Sequence, residues 1–253
     1  MSWKAIGKSV TGTSHLASGK GCEDVIQYSV LQDINDEEVL ICCASDGAGS
    51  ARFASLASEF ATNKVMESLS LFGLACYDPN EKDIFTLVED VYEGLALIAR
   101  LQEVALNEYS CTLLGCYLSK QTSVFFQIGD GAIVTGAGNG QYSTIWWPQN
   151  GEYHNTTTFI VDDPKLPNLR ISITNEETKE IALFSDGLQM LALNMENKTV
   201  HHPFFNDLFT FLRKADDYDK IEVLNNKLEA YLDSDTINNR TDDDKTLFLA
   251  TRI

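Results

Sequence analysis

The spacing of apolar positions changes several times along the chain, and each change marks an element. Residues 3–10 read as a first strand. Residues 25–31 and 39–44 are β-rich runs around a polar turn at 32–37, which is a hairpin signal. The second run, VLICCA, is continuously apolar, as a strand covered on both faces is. From 51 to 71 the spacing becomes helical, with Phe53, Leu56, Phe60, Val65 and Leu69 on one broad face. Residues 83–107 predict a longer helix, carrying Ile84, Val88, Val91, Leu95, Ile98 and Ala105 in three- and four-residue steps. Strands return at 111–118, 124–128 and 132–135, then a glycine-rich hairpin turn at 136–140. The β character continues through 142–147 and 157–161, and 165–175 fits either class. Residues 181–184 form a buried-type strand, helices follow at 188–193, 203–214 and 220–233, and a strand at 246–252 closes the chain.

Strands, two helices, a block of strands, then helices and a last strand is not a βαβα alternation. It predicts an α+β fold with mainly antiparallel sheet and helices packed outside. The chain has 253 residues, 44% of them hydrophobic, and no Pro- or Ser-rich linker, so residues 1–253 are expected to form a single domain.

Charge narrows the partners. Nineteen basic and 37 acidic side chains leave a net −18. That balance repels phosphate backbones and excludes nucleic acid and anionic membrane as partners. No apolar run reaches the roughly 18 residues of a spanning helix. The start, MSWKAIGKSVTG, has no apolar signal core, so a cytoplasmic location is expected. The six cysteines include no CxxC pair, and they read as reduced, mostly buried thiols.

Candidate chemistry lies where apolar runs stop. Glu23-Asp24 precedes the strand at 25, and Asp46-Gly47 and Asp186-Gly187 each follow an apolar strand. Asp242-Asp243-Asp244 precedes the final one. A lone Asp-Gly is most often a hairpin turn, and Asp130-Gly131, which lies between two strands, fits that reading. Asp46-Gly47 and Asp186-Gly187 instead lead into helical patterns. There the carboxylate stands at a sheet edge, and glycine lets a backbone carbonyl approach a cation. Separated carboxylates that converge are a usual way to hold hard divalent cations.

In order and with their neighbours, these motifs resemble the metal-dependent protein phosphatases of type 2C, which act on phosphoserine and phosphothreonine. The matching segments are Glu23-Asp24, Ala44-Ser45-Asp46-Gly47-Ala48-Gly49, Ile128-Gly129-Asp130-Gly131, Phe184-Ser185-Asp186-Gly187-Leu188 and Asp243-Asp244-Lys245-Thr246. The resemblance implies a four-layer α/β/β/α sandwich of two mainly antiparallel sheets flanked by helices. It implies two Mg²⁺ or Mn²⁺ ions, with Asp46 bridging both. The Gly47 carbonyl and Asp24, assisted by Glu23, would serve one ion, and Asp186 and Asp243 the other. Asp130 matches a position linked to a third, weaker ion. An all-oxygen ligand set agrees with Mg²⁺ or Mn²⁺ and not with Zn²⁺. A pair of such ions lowers the pKa of a shared water, which then attacks phosphorus in line.

The chain is identified as a divergent, bacterial-type member. Gly19 stands where many members have an arginine that grips phosphate, and Ala48 where many have histidine. The middle motif reads Gly129-Asp130-Gly131-Ala132. These departures fall on substrate grip more than on metal binding. Lys20 is the nearest base. His15 either orients phosphate or acts as general acid, or is a loop histidine bonded to backbone. The implied partners are phosphorylated proteins, and a monomer is expected. A catalytically weak pseudophosphatase that binds phosphoproteins is the alternative, and a phosphohydrolase for small phosphates is a third reading.

Overall fold

A computed structural model describes residues 2–149 and 157–252. The chain divides into two compact units, each built on one five-stranded antiparallel sheet.

The first unit comprises Met1–Cys22, Gly131–Trp147 and Glu177–Ile253. Its sheet has β1 (Trp3–Val10), β12 (Lys245–Arg252), β9 (Glu180–Phe184), β6 (Ala132–Gly136) and β7 (Tyr142–Thr144) in that order. Helices α5 (His202–Lys214) and α6 (Tyr218–Leu232) cover one face. Phe205, Phe209, Leu212, Leu228 and Leu232 pack there against Ile6, Val134, Ala182, Phe184, Leu247 and Leu249. Each large aliphatic or aromatic side chain buried there contributes about 1.5–3 kcal/mol. The Tyr142 ring stacks on Phe209 with centroids 5.4 Å apart. Glu180 is buried, and one of its oxygens pairs with Arg213 of α5, which offsets part of the cost of burying the carboxylate. Shorter elements are α1 (Thr13–Ser18), α4 (Gln189–Ala192), the two-residue strands β10 (Leu193–Asn194) and β11 (Thr199–Val200), and α7 (Asp235–Asn238).

The second unit comprises Glu23–Asp130 and Pro148–Glu176. Its sheet runs β2 (Val25–Gln32), β3 (Glu38–Ser45), β4 (Leu113–Leu118), β5 (Ser123–Ile128) and β8 (Arg170–Thr174). The VLICCA run is buried on both faces, as its continuous apolar character predicts. Val39, Ile41 and Cys43 pack with α2 (Ala54–Leu74) and α3 (Glu81–Leu101). Asn80 opens α3 with a reciprocal capping box to Asp83.

Two antiparallel sheets with their own helices make an α+β protein, as expected. The spacing misjudged several details. In α2 Val65 and Leu69 are buried as expected, but the first half of the buried face is made of small residues, Ala54, Ala57, Ser58 and Ala61, while Leu56 is 54% exposed. Small side chains let α2 pack closely against the sheet, and a count of large apolar residues cannot see that. Helix α3 stops at Leu101, not 107. Glu103 turns left-handed at φ 56°, and the Val104 N–H donates to the Ala99 carbonyl, a Schellman closure without glycine. Residues 157–161 are not a strand. Ile160–Asp162 forms a 3₁₀ turn, with the Asp162 carboxylate accepting the Phe159 N–H at 2.8 Å. The strand expected at 142–147 ends at Thr144, shortly before Pro148. Asp130-Gly131 is no hairpin turn, because β5 pairs with β4 and β8 whereas β6 pairs with β9 and β7.

Candidate active site

In the second unit, β3 ends at Ser45 and delivers Asp46 at the sheet edge. Thr112 fixes that exit from two sides. Its hydroxyl accepts the Asp46 N–H at 3.0 Å, and its own N–H donates to the Asp46 carbonyl at 2.8 Å. The Ser45 hydroxyl donates to the Thr112 carbonyl at 2.6 Å. Gly47 is buried, and its N–H donates to the Glu23 carbonyl at 3.2 Å, which ties the early acidic pair to this corner. A Cβ on Gly47 would lie 2.8 Å from the Ala54 Cβ and 2.9 Å from its carbonyl carbon and oxygen, so only glycine fits beneath the start of α2. Glu23 and Asp24 are buried carboxylates, at 9% and 4% exposure.

Asp130 stands in the same unit. The chain leaves β5 through Gly129, whose φ of +108° excludes other residues. Two buried amides clasp that glycine. The Gly129 N–H donates to Gln149 Oε1 at 2.6 Å, and Gln127 Nε2 donates to the Gly129 carbonyl at 2.9 Å. Gln149 is held in turn by Thr158 and by the Asn168 carbonyl. The clasp brings Asp130 to Asp46: their carboxylates offer oxygens within 4.8 Å of one another. At that separation two like charges repel, and a shared divalent cation, reached directly or through a water, removes the repulsion. The donor set is entirely oxygen, so the residues present fit Mg²⁺ or Mn²⁺.

The first unit gathers the other candidates. Ser185 follows β9, and its hydroxyl accepts the Thr246 N–H at 3.1 Å, while its N–H donates to the Thr246 carbonyl at 3.3 Å. This lock sets Asp186, which opens a 3₁₀ turn, beside the segment carrying Asp243. Gly187 is squeezed between them: a Cβ there would overlap the Asp244 carbonyl and lie 3.6 Å from the Asp243 Cβ. Asp243 itself is exposed. His15 lies in α1, and Lys20 follows it, its N–H donating to the His15 carbonyl at 2.9 Å. The Lys20 side chain is exposed.

Sequence reasoning missed three supports. Asp244 is 2% exposed, its Oδ1 accepts the Gly12 N–H at 2.6 Å, and its Oδ2 lies 3.0 Å from His15 Nδ1. Its place at the end of an acidic run, one residue before an apolar strand, is the only signal that it turns inward. Thr112 and the pair Gln127 and Gln149 carry no sequence signal beyond being polar residues in or beside apolar runs.

The motif order already pointed to the type 2C phosphatases, and comparison with known proteins agrees. The fold is similar to that of the solved serine/threonine phosphatase Stp1 from Staphylococcus aureus, with a TM-score of 0.61 at 18% identity over 100% of this chain and 96% of that one. It is similar also to RsbX solved in complex with magnesium, with a TM-score of 0.58 at 15% identity over 98% of this chain and 94% of that one. At such identities these likenesses establish the fold alone. In sequence the chain is 34% identical to serine/threonine-protein phosphatase 3 of Escherichia coli K12 over 257 residues, covering 99% of this chain and 98% of that protein. A family description, Protein phosphatase 2C, matches residues 11–233. Matched through most of its length, and carrying the acidic motifs in their order, the chain belongs to the protein phosphatase 2C family.

Proposed function

We propose that the protein is a serine/threonine protein phosphatase that depends on Mg²⁺ or Mn²⁺ and hydrolyses phosphoserine and phosphothreonine in phosphorylated proteins. The observation that carries this reading is the approach of the Asp46 and Asp130 carboxylates at two strand ends, each fixed by a glycine no other residue can replace. Relatives named as serine/threonine phosphatases, and a fold neighbour solved with magnesium, support it.

In this reading the approach of Asp46 to Asp130 makes the first place for a cation. Asp46 would serve two ions. Glu23, Asp24 and the Gly47 carbonyl would complete one set, Asp186 and Asp243 the other, and Asp130 would serve a third, weaker ion. When bound, the ions neutralise charge at the phosphate and supply a water acidic enough to react near neutral pH. The chain's own work is positioning. Thr112 and Ser45 hold Asp46 at its strand end, the glutamine clasp holds Asp130, and the Ser185–Thr246 lock holds Asp186 beside Asp243. His15 and Lys20 meet the phosphoryl group where many relatives use arginine. Residues 1–253 act as one phosphatase domain.

A relative named as a protein phosphatase supports phosphoproteins as partners, and the net charge of −18 argues against nucleic acid and anionic membrane. A cytoplasmic monomer is part of the same proposal. The pseudophosphatase alternative is not favoured, since crowded carboxylates without a cation to hold only repel one another.

The test is hydrolysis of a phosphoserine peptide by protein stripped of metal, with and without Mn²⁺. The expected result is turnover only with Mn²⁺ and a loss of at least about 100-fold in Asp46→Asn, comparable to removing one preorganised electrostatic group. Metal-independent turnover, or full activity in Asp46→Asn, refutes the proposal.

A further inference from the structure

Asp244 belongs to none of the ligand sets above, yet it is the most enclosed of the three consecutive aspartates, at 2% exposure. Its two oxygens do different work. Oδ1 accepts the Gly12 N–H at 2.6 Å and so anchors the entry to α1. The neighbouring Asp242 carbonyl reinforces the anchor by accepting both the N–H and the hydroxyl of Ser14, at 2.9 and 2.7 Å. Gly12 is obligatory here, because a Cβ on it would overlap the backbone of Asp242 and Asp243. Oδ2 lies 3.0 Å from His15 Nδ1. A carboxylate oxygen only accepts, so a hydrogen bond across this gap requires the proton on Nδ1.

We propose that Asp244 is a positioning residue for the phosphatase reaction. It holds the His15 ring with Nδ1 towards itself, which makes Nε2 the nitrogen that faces the phosphoryl group. The proposal rests on the reading of the site given above. A carboxylate behind a histidine that fixes its tautomer and ring plane is a recurrent device at reaction centres. The arrangement also explains how a short helix of six residues, with no buried residue of its own, presents a histidine in a defined direction. The ring stands against the Asp244 carboxylate, while the helix end is closed by Gly19 at φ 73°.

Asp244→Asn separates this role from simple support. Asn keeps an oxygen for the Gly12 N–H and turns an NH₂ donor towards His15, which reverses the tautomer. The first readout needs neither metal nor activity: the long-range ¹H–¹⁵N spectrum of the metal-free protein, with His15 assigned by its loss in His15→Gln. The expected pattern is an Nδ1-protonated ring in the wild type and the opposite tautomer in Asp244→Asn. The second readout is steady-state hydrolysis of a phosphoserine peptide with Mn²⁺. Asp244→Asn lowers kcat by about 10- to 100-fold, the usual cost of losing such a partner, with KM little changed. His15→Gln/Asp244→Asn falls no further than His15→Gln alone, because the two residues act as one unit. Mn²⁺ titration calorimetry gives the same affinity in both single variants as in the wild type. An unchanged His15 tautomer in Asp244→Asn, or losses that multiply in the double variant, overturns the proposal. A wild-type protein inactive with Mn²⁺ but with the expected tautomers overturns the phosphatase reading and leaves the Asp244–His15 geometry standing.

Discussion

Gly47→Ala is the most local perturbation that reaches the candidate site. The new Cβ would stand 2.8 Å from the Ala54 Cβ and 2.9 Å from two Ala54 backbone atoms. Carbon atoms rest comfortably at about 3.5 Å, so the Asp46-Gly47 corner and the start of α2 must part by about 0.7 Å, the difference of 3.5 and 2.8 Å. Two of the three obstructing atoms are backbone, and side-chain rotation cannot relieve them. Overpacking of this kind costs about 1–3 kcal/mol. For a domain of this size that is a fall of about 2–12 °C in Tm. The same displacement moves the Asp46 carboxylate, and a misplacement near 1 Å costs about 100-fold in rate. Thermal unfolding followed by circular dichroism reads the first effect, and Mn²⁺-dependent phosphopeptide hydrolysis the second. Gly73→Ala, in the same helix, is the control: its Cβ meets the Leu31 Cδ1 atom at 3.2 Å, and that flexible methyl can yield. A Gly47→Ala protein with wild-type Tm and kcat would refute the claim that this glycine sets the position of Asp46.

Three further predictions test other parts of the structure. Asp130→Asn raises the Tm of the metal-free protein, since removing one of two carboxylates within 4.8 Å relieves about 1 kcal/mol of repulsion, and it shrinks the Tm rise caused by Mn²⁺; differential scanning calorimetry with and without Mn²⁺ checks both. In the native protein iodoacetamide labels exposed Cys76 and half-buried Cys22, and reaches Cys42, Cys43, Cys111 and Cys116 only in denaturant, because burial encloses those four and pushes the Cys111 thiol up to about 12; peptide mass mapping reads the sites. Burial, and then the nearby Glu180 carboxylate, push the Tyr142 hydroxyl up to about 12, so the fold favours its neutral form. That stability is complete below the unfolded value near 10 and disappears as pH rises towards 12; urea midpoints across this range fall less steeply in Tyr142→Phe.

Much of this was legible in the sequence wherever one local cause decides the structure. VLICCA announced a strand buried on both faces because nothing polar interrupts it. Asp46-Gly47 and Asp186-Gly187 announced strand exits because each stops an apolar run; Asp186 then opens a 3₁₀ turn, and Asp46-Gly47 leads through a short loop to α2. What stayed hidden depends on partners far along the chain. Leu56 has the right spacing for the core, but alanines and Ser58 win the contact because α2 lies close to its sheet. Residues 157–161 have strand composition, but the Asp162 carboxylate captures the local N–H first. Asp130-Gly131 looks like any hairpin until the sheet partners of β5 and β6 are known. Asp244 sits one residue from Asp243 and shares its chemistry. Only the fold turns one outward and the other inward.

The amide clasp around Gly129 has a further consequence. Gln127, Gln149 and Thr158 are neutral at every pH the protein survives, and their bonds to this corner carry no net charge for ions to screen. The seat of Asp130 is therefore indifferent to acidification and to swings in ionic strength. A chain of charge −18 feels such swings over its whole surface, but the bonds that clasp Gly129 do not.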